Sequence, residues 1–149
     1  MKYSEKISNQ LNELLVKNYD AEKGYRNAIE NVDSSDLKIF FTNRANERET
    51  FAEEIKTEIN RYNETPKENG SFTGTMHRNW MSLKSTFSTN NEEAILEEAI
   101  RGEEASLEDY NDVLSDRDLP PTIDTMLTKH RDAIQASINT VKVKEELVS

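Results

Sequence analysis

Cysteine is missing from all 149 residues, which excludes disulfides, thiolate metal sites and cysteine nucleophiles together. Histidine occurs only at His77 and His130, too sparsely for a histidine-rich zinc site. No apolar run exceeds three residues, Leu14-Leu15-Val16 being typical, so the sequence offers neither a membrane span nor a signal-peptide core. The expected setting is therefore the cytoplasm, with no membrane partner. Positive charge is also short, with 19 Lys and Arg against 29 Asp and Glu, a net charge of −10. Such a surface repels nucleic acid and anionic lipid, so a nucleic-acid partner is not expected. With 34% apolar residues the core must be economical, and the length suits one domain over residues 1–149.

Only four glycines and three prolines occur, and their clustering leaves long stretches free for helices. From Ser4 to Val32, Ile7, Leu11, Leu14, Leu15, Tyr19, Tyr25, Ala28, Ile29 and Val32 recur at steps of three and four, an amphipathic helix. Gly24 interrupts it and suggests a close backbone contact. Asp33-Ser34-Ser35-Asp36 is a tight turn with Ser34 as N-cap. A second helix runs from Ser35 to Tyr62, its face made of Leu37, Phe40, Phe41, Arg44, Arg48, Phe51, Ile55, Ile59 and Tyr62, ended by Pro66 and Gly70. A long connection follows, in which Phe72, Met76, Trp80, Leu83 and Phe87 predict a short helix over Ser71–Phe87. Thr89-Asn90-Asn91-Glu92 opens a third helix reaching Leu114, and Leu119-Pro120-Pro121 restarts the chain into a fourth that ends near Glu146. Two short turns around one long middle connection give the connectivity of an all-α, ferritin-like four-helix bundle.

A di-iron bundle of that class needs Glu-x-x-His on two helices, because residues three apart share a face and reach one metal pair. Here the residue three before His130 is Leu127 and three before His77 is Gly74. Helix two offers Arg44 and Arg48 where a carboxylate is wanted, and a guanidinium repels a cation. The turns place Asn18, Glu22, Arg44, Arg48, Glu103 and His130 at similar heights, with Glu98 also on an inward position. These seven are the expected buried polar layer, with Glu–Arg pairs in place of metal and no cofactor. The alternative for the arginines is snorkelling, stems in the core and heads in water. The rival reading is an iron or manganese site built from Glu22, Glu49, Glu53, Glu98, Glu103 and His130, which requires helix two to rotate. A surface or crossover site could use His77, Arg78, Trp80 and Lys84, against the plainer reading of a docked helix anchored by Trp80. Tyr19, Tyr25, Tyr62 and Tyr110 sit at helical spacing and read as core rather than as radical or redox sites. The acidic run from Glu92 to Glu104 reads as a solvated face apart from Glu98 and Glu103. No nucleophile elbow or Walker-type phosphate loop occurs, so the expectation is a non-enzymatic protein.

Three segments carry a family resemblance: Tyr19-Asp20-Ala21-Glu22-Lys23-Gly24-Tyr25-Arg26, the crossover from Gly70 to Lys84, and Ile95–Glu104 with the Leu119-Pro120-Pro121 turn. Together they resemble a bacterial family of ferritin-like four-helix-bundle proteins carried as a domain of unknown function. The resemblance covers nearly the whole chain and implies a ferritin-like fold in a cytoplasmic bacterial protein, with no activity attached. The expected role is structural, stress-related or in protein interaction. Aromatic residues beyond one stripe, Tyr3, Phe40 and Trp80, suggest self-association as a homo-oligomer, a dimer.

Overall fold

The computed structural model of the chain describes residues 2–69 and 92–148. Four helices account for nearly all of them: α1 Tyr3–Asn31, α2 Ser35–Arg61, α3 Glu92–Leu114 and α4 Pro121–Val148. Their ends follow the local chemistry of the sequence. The Ser34 hydroxyl accepts the Leu37 N–H at 3.3 Å, an N-cap that starts α2 three residues after α1 stops. Pro121 opens α4, where its missing N–H costs nothing, and the Pro120 carbonyl accepts from Ile123 and Asp124 N–H.

Helix α2 stops before the proline expected to break it. Asn63 adopts a left-handed conformation, φ 58°, and donates its N–H to the Asn60 carbonyl, while Glu64 N–H reaches back to Ile59. That double closure is a Schellman motif with Asn in the place more often given to Gly, and it ends the helix on its own. The short helix expected over Ser71–Phe87 and the Thr89–Asn91 part of the capping box lie outside the described residues.

Contacts between the helices give their directions. From α1 to α3 and the turn just after it, the pairs run Gln10–Asp116, Lys17–Asp109 and Tyr25–Glu103, one number rising as the other falls, so these helices are antiparallel. Arg26–Glu49 and Tyr19–Lys56 set α1 against α2 in the same sense, and Phe40–Lys144 with Glu54–His130 do so for α2 and α4. Helices α2 and α3 are therefore parallel, and the connection between them must return the full length of α3, about 35 Å for its 23 residues. The start of that return is fixed to α1: Lys67 N–H donates to Asn12 Oδ1, Asn12 Nδ2 donates to the Thr65 carbonyl, and the Tyr19 hydroxyl donates to the Lys67 carbonyl.

Inside the bundle the buried apolar residues divide into two clusters. One holds Ile7, Leu11, Leu14 and Leu15 with Ile55, Ile59, Ile123 and Ile134, the other Ala21, Ala28, Phe41, Ile95, Leu96 and Val141. Between them the apolar stripes give way to buried Asn18, Arg48, Glu103, Ser106 and His130. Gly24 and Gly102, both buried, are brought opposite one another by the α1–α3 register, where a missing Cβ on each lets the helices approach beside Tyr25 and Glu103.

Candidate functional site

The polar band is one continuous hydrogen-bonded chain drawn from all four helices. Arg48 of α2, 2% exposed, donates from Nη1 to Asn18 Oδ1 at 2.8 Å and from Nη2 to Glu103 Oε1 at 2.9 Å. The Tyr25 hydroxyl donates to the same Glu103 oxygen at 2.6 Å. Asn18 Nδ2 donates to the Leu14 carbonyl and to the Tyr110 hydroxyl, each at 2.9 Å. Tyr110 Oη lies 3.0 Å from His130 Nδ1, and His130 Nε2 lies 3.1 Å from Glu54 Oε1. Phe51 stacks on the imidazole at 3.9 Å between ring centroids and Tyr110 meets it edge-on.

The directions of these bonds follow from donor chemistry. A guanidinium only donates, so Arg48 holds the Asn18 oxygen toward itself and turns the amide N–H2 to Leu14 and Tyr110. The phenol oxygen is then an acceptor on that side, and its one hydrogen points to His130 Nδ1. Imidazole with Nδ1 accepting carries its proton on Nε2 and donates it to Glu54.

Electrostatics agree with that assignment. Burial pushes the His130 pKa down to about 4 against the opposing pull of Glu54, so the ring is neutral at pH 7. Burial, with Glu103 adding to it, raises the Tyr25 phenol well above its usual range, and burial likewise raises Tyr110. Burial works against the charge on Arg48, but Glu103 together with Tyr25 and Tyr110 outweighs it, and the guanidinium is held more firmly protonated than usual. On the flank Glu47, half-buried beside Arg44, is raised by desolvation.

Of the seven residues expected in the polar layer, four are joined: Asn18, Arg48, Glu103 and His130. Glu22, Arg44 and Glu98 are not. Glu22 pairs with Arg26 on its own helix at 2.8 Å, and Arg26 also reaches Glu49. Arg44 lies one turn from Arg48 but outside the hydrogen-bonded chain, its side chain 22% exposed, paired with Glu47 at 3.3 Å and set over the Phe40 ring. Its Nε is buried without a hydrogen-bond partner among the described residues, so the head is only partly carried out to water. Glu98 pairs with Arg101 at 2.8 Å. Glu98 lies about 140° around the helix from Glu103, and its side chain is 27% exposed against 2% for Glu103. The set for a metal site is scattered likewise: Glu53 pairs with Lys56, and Glu22 and Glu49 share Arg26. Among the described residues no three His, Cys, Asp or Glu side chains converge as metal ligands. His77, Arg78, Trp80 and Lys84 lie outside the described residues.

Three members of the chain were not placed in the polar layer from the sequence: Tyr25, Tyr110 and Glu54. The tyrosines are core residues as expected, but a buried hydroxyl needs a partner, and that requirement was the available signal. Glu54, its side chain 39% exposed, gives no comparable sign.

Two antiparallel hairpins joined by a bundle-length connection define a ferritin-like four-helix bundle. Among solved structures the fold is similar to that of a Mycobacterium smegmatis Dps1 mutant, F47E, with TM-score 0.78 over 97% of this chain and 99% of that one at 13% identity. No curated protein matches the chain. The model of the family described as Domain of unknown function (DUF2383) matches residues 6–116, and the chain belongs to that family. Among the described residues no helix is long and apolar enough to cross a membrane.

Proposed function

We propose that this is a non-enzymatic bundle protein of the bacterial cytoplasm with a structural, stress-related or protein-binding role. Its interior is filled by a charge-compensated polar layer rather than by a metal centre or other cofactor. The observation that carries the reading is Arg48: its guanidinium occupies the middle of the bundle, bonded to Asn18 and Glu103. The groups that remain do not fit an iron or manganese pair. Glu103 Oε1 already accepts from Arg48 and Tyr25, and both His130 nitrogens are engaged. A cation brought beside Arg48 meets a fixed positive charge in a low-dielectric interior.

The protein works as a homo-oligomer, a dimer. Supporting this, Ile39 and Val143 are more than half exposed and Leu147 more still, on α2 and the end of α4. Tyr3 is less telling, since its hydroxyl is tied to the Asp118 carbonyl, and Phe40 lies between Arg44 and Lys144.

Elemental analysis of purified protein, with melting curves before and after addition of Fe(II) or Mn(II), tests the metal-free core. The expected result is substoichiometric metal and an unchanged melting temperature. Stoichiometric iron or manganese with a large stabilisation overturns it. Light scattering at micromolar concentration is expected to give twice the 17.2 kDa chain mass, and a monomer refutes the self-association.

A further inference from the structure

The polar layer contains one phenol whose proton has a defined way out. Tyr110 Oη donates to His130 Nδ1, and the opposite nitrogen of the same ring donates to Glu54, which reaches solvent. We propose that Tyr110 is a one-electron redox site, oxidised by radical oxidants, with its phenolic proton released through His130 to Glu54. This stands independently of the reading of the protein's cellular role.

The step balances as follows. A nitrogen- or oxygen-centred radical takes one electron from Tyr110 and becomes its anion. The Tyr110 O–H bond breaks and its proton binds His130 Nδ1 as the Nε2–H bond breaks and that proton binds a Glu54 carboxylate oxygen. The products are a neutral phenoxyl radical, the other neutral tautomer of His130 and a protonated Glu54 that equilibrates with water. No charge is left in the interior. The electron leaves by tunnelling through the protein, whereas the heavier proton needs the hydrogen-bonded path.

Each part of the setting suits that reaction. Burial raises the Tyr110 pKa, so the phenol does not ionise first and must lose its proton together with the electron. His130, pushed down to about 4, presents a free lone pair at Nδ1 at neutral pH. Asn18 Nδ2 donates to the phenol oxygen at 2.9 Å and continues to do so in the radical. Full burial among Leu15, Phe51 and Ile134 in one apolar cluster keeps the radical from meeting another. Tyr25 differs on the decisive point. Its hydrogen bond ends on buried Glu103, so its proton would stay inside and cancel the charge that Arg48 is paired with.

Pulse radiolysis of the full chain with azide radical, followed optically and by freeze-quench electron paramagnetic resonance, tests the proposal. The wild type is expected to give a long-lived neutral tyrosyl radical whose high-field spectrum shows two hydrogen bonds to the phenoxyl oxygen. Tyr110→Phe is expected to lose that species and leave only short-lived radicals of other side chains. Glu54→Gln still accepts the His130 N–H bond but takes no proton, and its site is half-exposed, so it keeps the fold. It is expected to form the long-lived radical about a hundredfold more slowly, the low end of what a positioned base contributes. Persistence of the signal in Tyr110→Phe, an unchanged rate in Glu54→Gln, or only short-lived radicals in the wild type overturns the proposal. If Tyr110→Phe fails to fold by circular dichroism, the Glu54→Gln rate decides alone.

Discussion

Replacing Arg48 by Met removes the full positive charge bonded to Glu103 and keeps most of the side-chain volume. Both partners are about 2% exposed and their atoms are 2.9 Å apart. Breaking a buried pair from one side costs about 3–5 kcal/mol, because the charge left behind stays desolvated. A chain of this size holds about 7–20 kcal/mol in total, at 0.05–0.15 kcal/mol per residue. At about 2–4 °C per kcal/mol, Arg48→Met is expected to melt some 6–20 °C below wild type. Glu103→Met should cost a similar amount by stranding Arg48. The double replacement, however, strands no charge. It leaves only the Tyr25 hydroxyl and the Asn18 oxygen each short of a partner, about 1–2 kcal/mol apiece. The double variant should therefore lose about 2–4 kcal/mol, well under the sum of the singles, with a coupling of about 2 kcal/mol or more. Urea titrations of the four proteins by circular dichroism close the cycle. Additivity within about 0.5 kcal/mol would refute a desolvated ion pair at the bundle centre.

Two further outcomes follow from the same chain. His130 has a folded pKa near 4 against an ordinary value of 6.5, so above pH 6.5 it contributes no pH dependence. As the pH falls from 6.5 to 4 the unfolded chain takes up a proton that the folded one refuses, and stability drops by up to about 3 kcal/mol. The groups facing the ring are Glu54, Tyr110, Arg48 and Lys129, and the wild-type minus His130→Gln stability difference, measured by urea titration at each pH, should slope only in that window. Tyr25→Phe removes the 2.6 Å bond to Glu103 and should cost about 1.5–3 kcal/mol, as for hydrogen bonds to charged groups, whereas Tyr62→Phe, at a part-buried ring, should stay within about 0.5 kcal/mol in the same melts.

The helices were legible because apolar residues at steps of three and four leave few alternatives, and because Ser34 and Pro121 mark starts by their own chemistry. The topology was legible from connection lengths alone. The end of α2 was legible at Tyr62, but its cause was not: Pro66 drew attention, while Asn63 closes the helix by accepting a left-handed conformation that sequence scarcely advertises. Counting residues from the two turns located Arg48 and Glu103 at one height, although they belong to helices two and three. It failed for Arg44, since two arginines four apart share a face and only the surroundings decide which is desolvated. Glu98 lies at the edge of the inner face, 27% exposed, where Arg101 on the same helix takes it up. Glu54 was invisible for a different reason. A surface-lying glutamate becomes part of the interior only because His130, on another helix, points its Nε2 there.

A polar band between two apolar clusters also fixes how the helices are aligned along their axes. Leucine and isoleucine stripes still bury area if one helix slides a turn past another, since the next turn offers similar side chains. The band does not tolerate that movement. A one-turn slide displaces α1 by about 5.4 Å, longer than any bond in the chain, and would part Tyr25 from Glu103 and Asn18 from Arg48 and Tyr110 together. The same slide of α3 would leave Arg48 and Glu103 charged, buried and separate, at about the 3–5 kcal/mol that a broken buried pair costs. The apolar clusters thus supply most of the driving force for association, and the Arg48–Glu103 pair with its neutral extensions selects one register among those the stripes permit.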